Sequence, residues 1–372
     1  MSISNCYGQN RAILQLQRAR QGHRLPHSYI FHGPEGVGKG FLAREWSKLL
    51  LCASSGKRTL QVPGSEDVEI DDCCDSCEDC RSVQALSHPD LHIINRDLAR
   101  FTSVKRSRQL IAMPIDVIRE FVIKPSRLAP SRGRARIFII EEAQTMNRSS
   151  QNALLKTLEE PPRNTFLLLI TSGPEMFLPT VRSRCQSVRF QPLSYERVHE
   201  QLVQAGVSDE QGRFWADFSE GRLGVALELA QMSIYELKCE LVMQLSQLSD
   251  QTALDISAWL LEKAKQIGKS YLSLHPEHSA GDATRLGQRY LLQMISHAFS
   301  QALRMRVQGP DQDVQGLDQP MQIAGLAGIF APESCGMVIR EAYRTERLFQ
   351  LNVNPALLFD SFMIKCLNYA QE

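Results

Sequence analysis

The chain has 372 residues, a hydrophobic fraction of 43%, a charged fraction of 22% and a formal net charge of +1. These values are ordinary for a globular protein of two or three domains, and they exclude a polycation that binds nucleic acid over its whole surface. No run of eighteen apolar residues is present and the polar first residues lack a signal-peptide pattern, so we expect no membrane span and a cytoplasmic location with reduced thiols.

Short apolar runs alternate with helical patterns in the first half of the chain. Nearly continuous apolar runs are typical of parallel strands covered on both faces, so the alternation predicts an α/β fold with a parallel sheet. The predicted strands are Ser28–His32, Leu91–Ile94, Arg136–Ile140, Phe166–Thr171 and Ser187–Phe190. Two polar stretches, Ser54–Gly64 and Asp67–Asp72, are predicted to be exposed insertions.

Helical patterns dominate after Pro192. The predicted helices begin with Ser194–Ala205 and Asp209–Met232, the second of which is broken near Gly221. Everything from about residue 233 is predicted to be helical, apart from loops at His275–Asp282 and Gln308–Glu333. We therefore predict three domains: a sheet domain over residues 1–191, a small helical domain over 192–232 and an all-α domain over 233–372.

A glycine-rich loop, Gly33–Gly40, follows the first predicted strand and precedes a helix predicted over Phe41–Cys52. The glycines that let backbone N–H groups face phosphate oxygens are Gly33, Gly36 and Gly38. Lys39 would reach the β- and γ-phosphates of ATP, but the next residue is Gly40, where such loops normally have Ser or Thr to hold Mg²⁺. Two interpretations remain: a weakened ATP/Mg²⁺ site, and a relic loop that keeps the fold without binding nucleotide.

Two acidic residues, Glu141 and Glu142, follow the predicted strand Arg136–Ile140. In P-loop ATPases an aspartate at the first position supports Mg²⁺ and a glutamate at the second polarises the attacking water. Glu141 is longer than aspartate and changes the metal geometry, whereas Glu142 keeps the second position. The alternative is a solvated acidic pair at a strand end. Thr171 ends another predicted strand, where such proteins place a polar sensor of the γ-phosphate.

Half of the ten cysteines lie between Cys52 and Cys80. Cys74, Cys77 and Cys80 have the spacing at which thiolates bind tetrahedral Zn²⁺, and Cys52 supplies a fourth ligand. Four protein ligands leave no open position, so we predict a structural zinc module over about residues 52–82. Cys73 is a spare or alternate ligand. A loop of free thiols and an iron–sulfur cluster are the alternative interpretations.

Several stretches together resemble the bacterial DNA polymerase III clamp-loader subunits, most closely the delta-prime type. The stretches that carry the resemblance are Arg24–Lys39, the cysteine module, His88–Asp90, Ile115–Arg119, Asn152–Pro162 and Pro179–Cys185, with a weaker match at Leu351–Leu358. The resemblance implies a P-loop AAA+ domain, a helical lid domain and a collar domain that holds the subunits in a ring. The apolar faces of the last helices suit a private core equally well.

The resemblance also implies a role for Arg184 in Ser183–Cys185. Such an arginine reaches across a subunit boundary and stabilises charge on a neighbour's γ-phosphate. The gamma and tau subunits, which hydrolyse ATP, carry Ser or Thr after the P-loop lysine and a sensor arginine in the small domain, where this chain has Gly40 and Gly224. Together with Glu141, these departures weaken hydrolysis and fit the delta-prime type.

Residues 100–136 include ten basic residues against two acids, Asp116 and Glu120. Such a patch contacts phosphate without reading sequence, and a solvated loop between helices is the alternative. By resemblance, Arg119 lies on a helix that faces the central chamber of the ring, and it is the best single DNA candidate. The exposed Lys105–Arg108 cluster is not favoured.

The sequence therefore predicts a delta-prime-like subunit that works with gamma/tau and delta subunits to load the sliding clamp on primed DNA. It would contain structural Zn²⁺, a weakened ATP/Mg²⁺ site and an arginine finger for a neighbour. No paired aspartates of a polymerase palm are visible, so the subunit itself is not a polymerase. The alternatives are an active gamma/tau-like ATPase and a P-loop protein without a replication role.

Overall fold

The computed structural model describes residues 2–22, 25–62, 66–103, 112–276, 278–308, 315–349, 351 and 353–371. Several positions named in the sequence analysis therefore fall outside the described residues: Arg24, the Lys105–Arg108 cluster, Asn352, residues 63–64 of the predicted insertion, and residues 277 and 309–314 of the two predicted loops. The chain forms two compact units, residues 1–193 and residues 194–372.

The first unit contains a five-stranded parallel sheet and a two-stranded hairpin. Its strands are β1 (Ser28–His32), β2 (Gly56–Leu60), β3 (Val68–Asp72), β4 (Leu91–Ile94), β5 (Arg136–Ile140), β6 (Thr165–Thr171) and β7 (Gln186–Arg189). The spatial order in the parallel sheet is β4-β5-β6-β1-β7. The predicted parallel α/β sheet is confirmed, with strand ends shifted by one residue in β6 and β7.

Among the described residues of this unit, seven α-helices accompany the strands. They are α1 (Asn10–Gln21), α2 (Lys39–Leu51), α3 (Glu78–Gln84), α4 (Ile115–Ile118), α5 (Lys124–Ser126), α6 (Arg148–Glu159) and α7 (Pro179–Arg182). A π-helical segment, Arg119–Ile123, joins α4 to α5. Asn147 is the N-cap of α6, and its side chain accepts a hydrogen bond from the Ser150 N–H at 2.8 Å.

Helices cover both faces of the parallel sheet, which is why its strands read as continuous apolar runs. Alternate residues of β1 serve opposite faces: Tyr29 and Phe31 belong to the core that includes Trp46 of α2, whereas Ile30 belongs to the core that includes Leu154 of α6. Both cores are closed to solvent, so the positions of the strand ends are set by packing.

The second unit is helical in its described residues. The predicted C-terminal helical region is confirmed. Its helices are α8 (Tyr195–Gln204), α9 (Asp209–Phe218), α10 (Leu223–Gln231), α11 (Tyr235–Leu245), α12 (Ala253–Leu274), α13 (Ala280–Gln308), α14 (Pro320–Ile329), α15 (Pro332–Phe349) and α16 (Pro355–Gln371). The predicted break near Gly221 is present, because Glu220 and Gly221 adopt positive φ values of 51° and 82° between α9 and α10.

Two local predictions were wrong. The loop predicted over Gln308–Glu333 contains α14, because Pro320 is compatible with the first turn of a helix and Ile323 and Leu326 are buried. The stretch Asp67–Asp72 is not uniformly exposed: it forms β3, and the Asp72 side chain is fully buried.

Within the described residues, no single helix has both the length and the apolar character needed to cross a membrane. The helices α14 and α15 meet these criteria only as a pair, and they are bent by 103° relative to each other.

Candidate functional site

The carboxyl ends of β1, β6 and β5 lie side by side at one edge of the sheet. In the strand register His32 is opposite Thr171, and Ile140 is opposite Leu169. The predicted phosphate loop, which follows β1, therefore begins beside Thr171, and Glu141 follows β5 one strand further along. Ligands of open parallel sheets bind at this edge. The structure thus brings together residues that are more than a hundred positions apart in sequence.

The glycines of the phosphate loop have backbone conformations that other residues rarely adopt. The φ angles are 144° at Gly33, 76° at Gly36 and 95° at Gly38. Gly33 also has no room for a side chain, because a Cβ there would lie 2.4 Å from the carbonyl oxygen of Phe190. Gly38 is the N-cap of α2, so the loop leads into a helix N-terminus that favours anions.

The Lys39 side chain is folded back onto this loop. Its Nζ donates to the carbonyl oxygen of Gly33 at 2.6 Å and also to that of Pro34. Burial lowers the pKa of Lys39 to about 8, although the negative charge of Glu35 opposes the shift. A phosphate in the loop would compete with these carbonyls for Nζ and would favour its charged form.

Gly40 is the second residue of α2 and is not required by packing. A Cβ built at this position meets no atom within 4 Å. The structure therefore has space for a serine or threonine side chain here. Packing does not explain why the hydroxyl that would bind Mg²⁺ is absent.

The acidic pair after β5 is held by the chain itself. The Glu141 N–H donates to the carbonyl oxygen of Ile94 at 2.8 Å, which continues the ladder between β4 and β5. Glu142 has a left-handed backbone, with φ at 46°, and its Oε2 lies 3.3 Å from Nε of Arg96. The Glu142 side chain is about half exposed, at 48%. One of its carboxylate oxygens therefore lies in an ion pair with Arg96.

Thr171 is buried at the end of β6. Its Oγ1 accepts a hydrogen bond from the Gly173 N–H at 3.0 Å. The hydroxyl therefore closes the turn after β6 and lies next to the start of the phosphate loop.

Arg184 lies just after α7, on the loop that leads to β7. Its Nη2 is 2.7 Å from Oε1 of Glu159, at the end of α6. Its Nη1 donates to the Thr180 carbonyl oxygen at 3.0 Å and to the Ser183 Oγ at 3.3 Å. The Arg184 side chain remains 35% exposed. Sequence reasoning singled out Arg184 but missed its partner Glu159, although both lie in the stretches that carry the resemblance.

Four cysteines converge beside the end of α2. The Sγ atoms of Cys52, Cys74, Cys77 and Cys80 all lie within 4.8 Å of one another. Individual separations are 3.5 Å for Cys52 and Cys74, 4.0 Å for Cys52 and Cys77, and 3.9 Å for Cys74 and Cys80. A tetrahedral ion with metal–sulfur bonds of about 2.3 Å needs sulfurs about 3.8 Å apart. The four thiols therefore fit a metal ion.

Backbone amides donate to three of these four sulfurs. The N–H groups of Cys74, Cys77 and Cys80 donate to the Sγ atoms of Cys52, Cys74 and Cys77 at 3.3 to 3.4 Å. Hydrogen bonds from Ser76, followed by that from the Cys77 N–H, lower the pKa of the Cys74 thiol to about 5. Such donors stabilise thiolate and orient it, as the outer shell of a metal site does.

Cys73 lies outside this cluster. Its Sγ is 3.6 Å from Oδ1 of Asp75, and burial raises the pKa of its thiol to about 12. The neighbouring Lys48 is buried and bridges Glu45 and Asp75, with both N–O distances at 2.7 Å. The Lys48 ammonium thus neutralises the carboxylates of Glu45 and Asp75. Cys73 packs beside them as a neutral thiol.

Asp90, the residue before β4, is a structural centre that sequence reasoning missed. Its carboxylate accepts hydrogen bonds from the N–H groups of Ser131 and Arg132 at 2.7 and 3.0 Å, and from Arg136 Nη2 at 3.0 Å. Arg132 also pairs with Asp79 at 2.8 Å, on the helix that carries Cys80. The His88–Asp90 stretch therefore joins the cysteine module to the sheet.

The described basic residues of the 100–136 segment fall into two groups, those paired within the protein and those exposed to solvent. Those held by the protein itself are Arg100 (to Asp97), Arg132 (to Glu78 and Asp79), Arg134 (to the Cys52 carbonyl) and Arg136 (to Asp90). Arg119, Lys124 and Arg127 are exposed on the helical segment that runs through the π-helix. Arg119 has no ion pair with any residue that the structure describes. The exposed positive surface is thus smaller than the sequence count implies.

A protein-family model described as DNA polymerase III, delta subunit, matches residues 8–194, which is half of the chain. The chain belongs to this family. The match coincides closely with the first compact unit and includes the phosphate loop, the cysteine cluster and Arg184.

Individual relatives agree with this membership in the DNA polymerase III delta subunit family. The DNA polymerase III subunit delta' of Bacillus subtilis (strain 168) is 30% identical over 223 residues, which cover 60% of this chain and 59% of that protein. The delta' subunit of Pseudomonas aeruginosa is 34% identical over 184 residues, 49% of this chain and 48% of that protein. The tau subunit of Escherichia coli (strain K12) is 32% identical over 201 residues, 54% of this chain and 27% of that protein. The chain spans less than two thirds of each relative's length.

Proposed function

We propose that this protein is a delta-prime-type subunit of a DNA polymerase III clamp loader, which supplies Arg184 to a neighbour's ATP site and hydrolyses little ATP itself. The observation that carries the proposal is the phosphate loop, which has the backbone shape for phosphate but Gly40 where Mg²⁺ needs a hydroxyl. The retained fold and the lost ligand together favour a subunit that keeps the architecture without its own chemistry.

The remaining nucleotide residues support the same proposal. Glu141 replaces the aspartate that normally supports Mg²⁺, and Glu142 is paired with Arg96. The sensor position of the small domain is Gly224, in the first turn of α10. Arg222, the nearest arginine, is engaged locally, because its Nε donates to the Ser219 carbonyl oxygen at 2.7 Å. ATP with Mg²⁺ would bind weakly through Lys39 and the loop amides.

Zn²⁺ is the metal that we assign to the four-cysteine cluster. Four thiolates at tetrahedral spacing select zinc or iron, and structural zinc sites have this closed ligand set. Zn²⁺ supplies no reaction here; bound, it would cross-link the end of α2 to the 74–80 segment. This cross-link would stabilise a module whose described residues form a two-stranded hairpin and the short helix α3.

Partners follow from the family and remain part of the proposal. The other clamp-loader subunits, gamma/tau and delta, would flank this chain. The helices from residue 233 onward would form its part of the collar. The second compact unit would then consist of two domains, a small helical domain and the collar domain. The sliding clamp and primed DNA would be the substrates of the ring. Arg119 is our candidate for DNA contact, because it is exposed on the π-helical segment, and π-bulges are frequent at functional sites.

ATP turnover tests the proposal. The purified chain should show negligible turnover alone, and in a ring reconstituted with its partner subunits Arg184→Ala should remove the contribution of the neighbouring site. An arginine finger contributes a factor of about 10³ to 10⁵ at the site it serves. Arg182→Ala, at an exposed arginine two residues away, is the matched control and should leave ring turnover unchanged.

The second candidate is an active gamma/tau-like ATPase. The retained Lys39, the glycine conformations and the 32% identity to a tau subunit favour it. Robust turnover by the chain alone, abolished by Lys39→Ala, would establish this candidate and overturn the proposed one.

A further inference from the structure

We propose that Glu159 is the positioning residue of Arg184: it restrains the guanidinium in the free subunit and releases it when the neighbour's nucleotide binds. This inference rests on the proposed function of Arg184. The geometric basis is the 2.7 Å contact between Glu159 Oε1 and Arg184 Nη2, across twenty-five residues of sequence.

The pair sits on a rigid frame. Leu158, next to Glu159, and Val181, in the helix before Arg184, belong to the same buried core. Gln151 connects the two helices, because its Nε2 donates to the Met176 carbonyl oxygen at 3.2 Å and its Oε1 accepts from the Leu178 N–H at 2.7 Å. Gln151 exposes only 3% of its surface. Gln151 therefore ties α6 to the segment that leads into α7, so the pair can open by rotation of its two side chains.

The restraint uses only part of the guanidinium. Glu159 contacts Nη2, while the Thr180 carbonyl oxygen and the Ser183 Oγ accept from Nη1. Among the residues that the structure describes, none accepts from Nε. An incoming phosphate can therefore begin to bind Arg184 at Nε while Glu159 still holds Nη2, and can then replace the carboxylate.

The strength of the pair suits a reversible restraint. Both side chains are partly exposed, 35% for Arg184 and 47% for Glu159, so solvent and salt screen the attraction. While the pair is closed, the Glu159 carboxylate lowers the positive potential that Arg184 presents to a phosphate. The free energy needed to open the pair therefore reduces the apparent affinity of the neighbour's site for its nucleotide.

The test measures the kinetics of ring ATP turnover with Glu159→Gln, which keeps the shape of the side chain and removes its charge. We expect the apparent KM for ATP to fall by up to about five-fold at low salt, with kcat nearly unchanged, and the difference to shrink at high salt. Glu160→Gln is the matched control, since Glu160 is the adjacent exposed acid and takes no part in the ion pair with Arg184.

A double variant separates this inference from the proposed function. In an Arg184→Ala background, Glu159→Gln should have no further effect, because its effect acts through Arg184. An unchanged or raised KM for Glu159→Gln, or the same shift with Arg184 absent, would overturn the positioning role. If Arg184→Ala itself leaves turnover unchanged, the proposed finger fails instead. Circular dichroism of each variant verifies that it is folded.

Discussion

Arg136 Nη2 lies 3.0 Å from Asp90 Oδ1 in the interior of the first unit, where their side chains are 6% and 0% exposed. Arg136 begins β5 and Asp90 precedes β4, so this pair locks the two strands at the end opposite the nucleotide edge. Arg136 Nη1 also donates to the carbonyl oxygens of Pro125 and Leu128, at 2.8 and 3.2 Å. The pair therefore connects the sheet to the helix that carries Arg119.

Replacing Asp90 with asparagine should destabilise the first unit severely. Arg136 would remain as a buried charge without its counter-charge, which costs about 3–5 kcal/mol in the free energy of unfolding. Urea denaturation followed by circular dichroism measures this loss. Asp97→Asn is the matched control, because Asp97 pairs with Arg100 at the surface at 3.2 Å, and such pairs contribute about 0–1 kcal/mol. Equal losses from the two variants would contradict the assignment of Asp90 as a structural centre.

The same pair predicts how stability depends on pH. Burial raises the pKa of Asp90, but hydrogen bonds from Ser131, Arg132 and Arg136 outweigh it and leave the pKa below its ordinary value. A lowered folded-state pKa adds stability above the unfolded-state value of about 3.9, and this stability disappears as pH falls through the folded-state pKa. The difference in unfolding free energy between wild type and Asp90→Asn should stay constant from pH 7 to about 5 and shrink below about 4. A difference that grows on acidification would have the wrong sign.

Metal content should separate the four cluster cysteines from Cys73. Cys77→Ser should lower bound zinc from about one per chain to near zero and should reduce the melting temperature, because one ligand of a closed site is removed. Cys73→Ser should keep the metal, since Cys73 lies outside the cluster and burial raises its pKa to about 12. Elemental analysis of the purified variants measures both. Full zinc in Cys77→Ser would refute the ligand set.

Gly40→Thr should strengthen the binding of MgATP without disturbing the fold. The position is open to a side chain, because a Cβ there meets no atom within 4 Å, and glycine is the less favourable residue inside a helix. Titration calorimetry with ATP in the presence of Mg²⁺, and then with EDTA, shows whether the gain requires the metal. Gly33→Ala is the contrasting variant, because its Cβ would collide with the Phe190 carbonyl at 2.4 Å. A gain that persists in EDTA would mean that the threonine acts other than as a magnesium ligand.

Arg119→Ala should weaken the binding of primed DNA by the reconstituted ring. Loss of one phosphate contact lowers affinity similarly for all sequences and reduces the slope of log K against log salt by about one. Fluorescence anisotropy at several salt concentrations measures both quantities. Arg132→Ala is a useful comparison, because Arg132 is already engaged by Glu78 and Asp79 at 2.6 and 2.8 Å. An unaltered salt slope for Arg119→Ala would exclude a direct phosphate contact.

The contrast between Arg119 and Arg132 shows where prediction from sequence reached its limit. Both are basic residues of one charged segment, and their spacing does not separate them. Asp79 and Glu78, which hold Arg132, lie more than fifty residues earlier in the chain. The predicted loop at α14 failed for a similar reason: the burial of Ile323 and Leu326 depends on helices elsewhere in the second unit.

Local chemistry along the chain determined the parallel strands, the glycine loop with Lys39, the missing hydroxyl at Gly40 and the cysteine spacing. Each of these features depends on residue types and spacings along short stretches of the chain, where backbone steric limits and hydrophobic periodicity determine local structure. Only the tertiary structure decided which charges are available. It brought Glu159 to Arg184, Arg96 to Glu142 and Asp90 to Arg136, because ion pairs depend on distances in space that packing of the two cores sets.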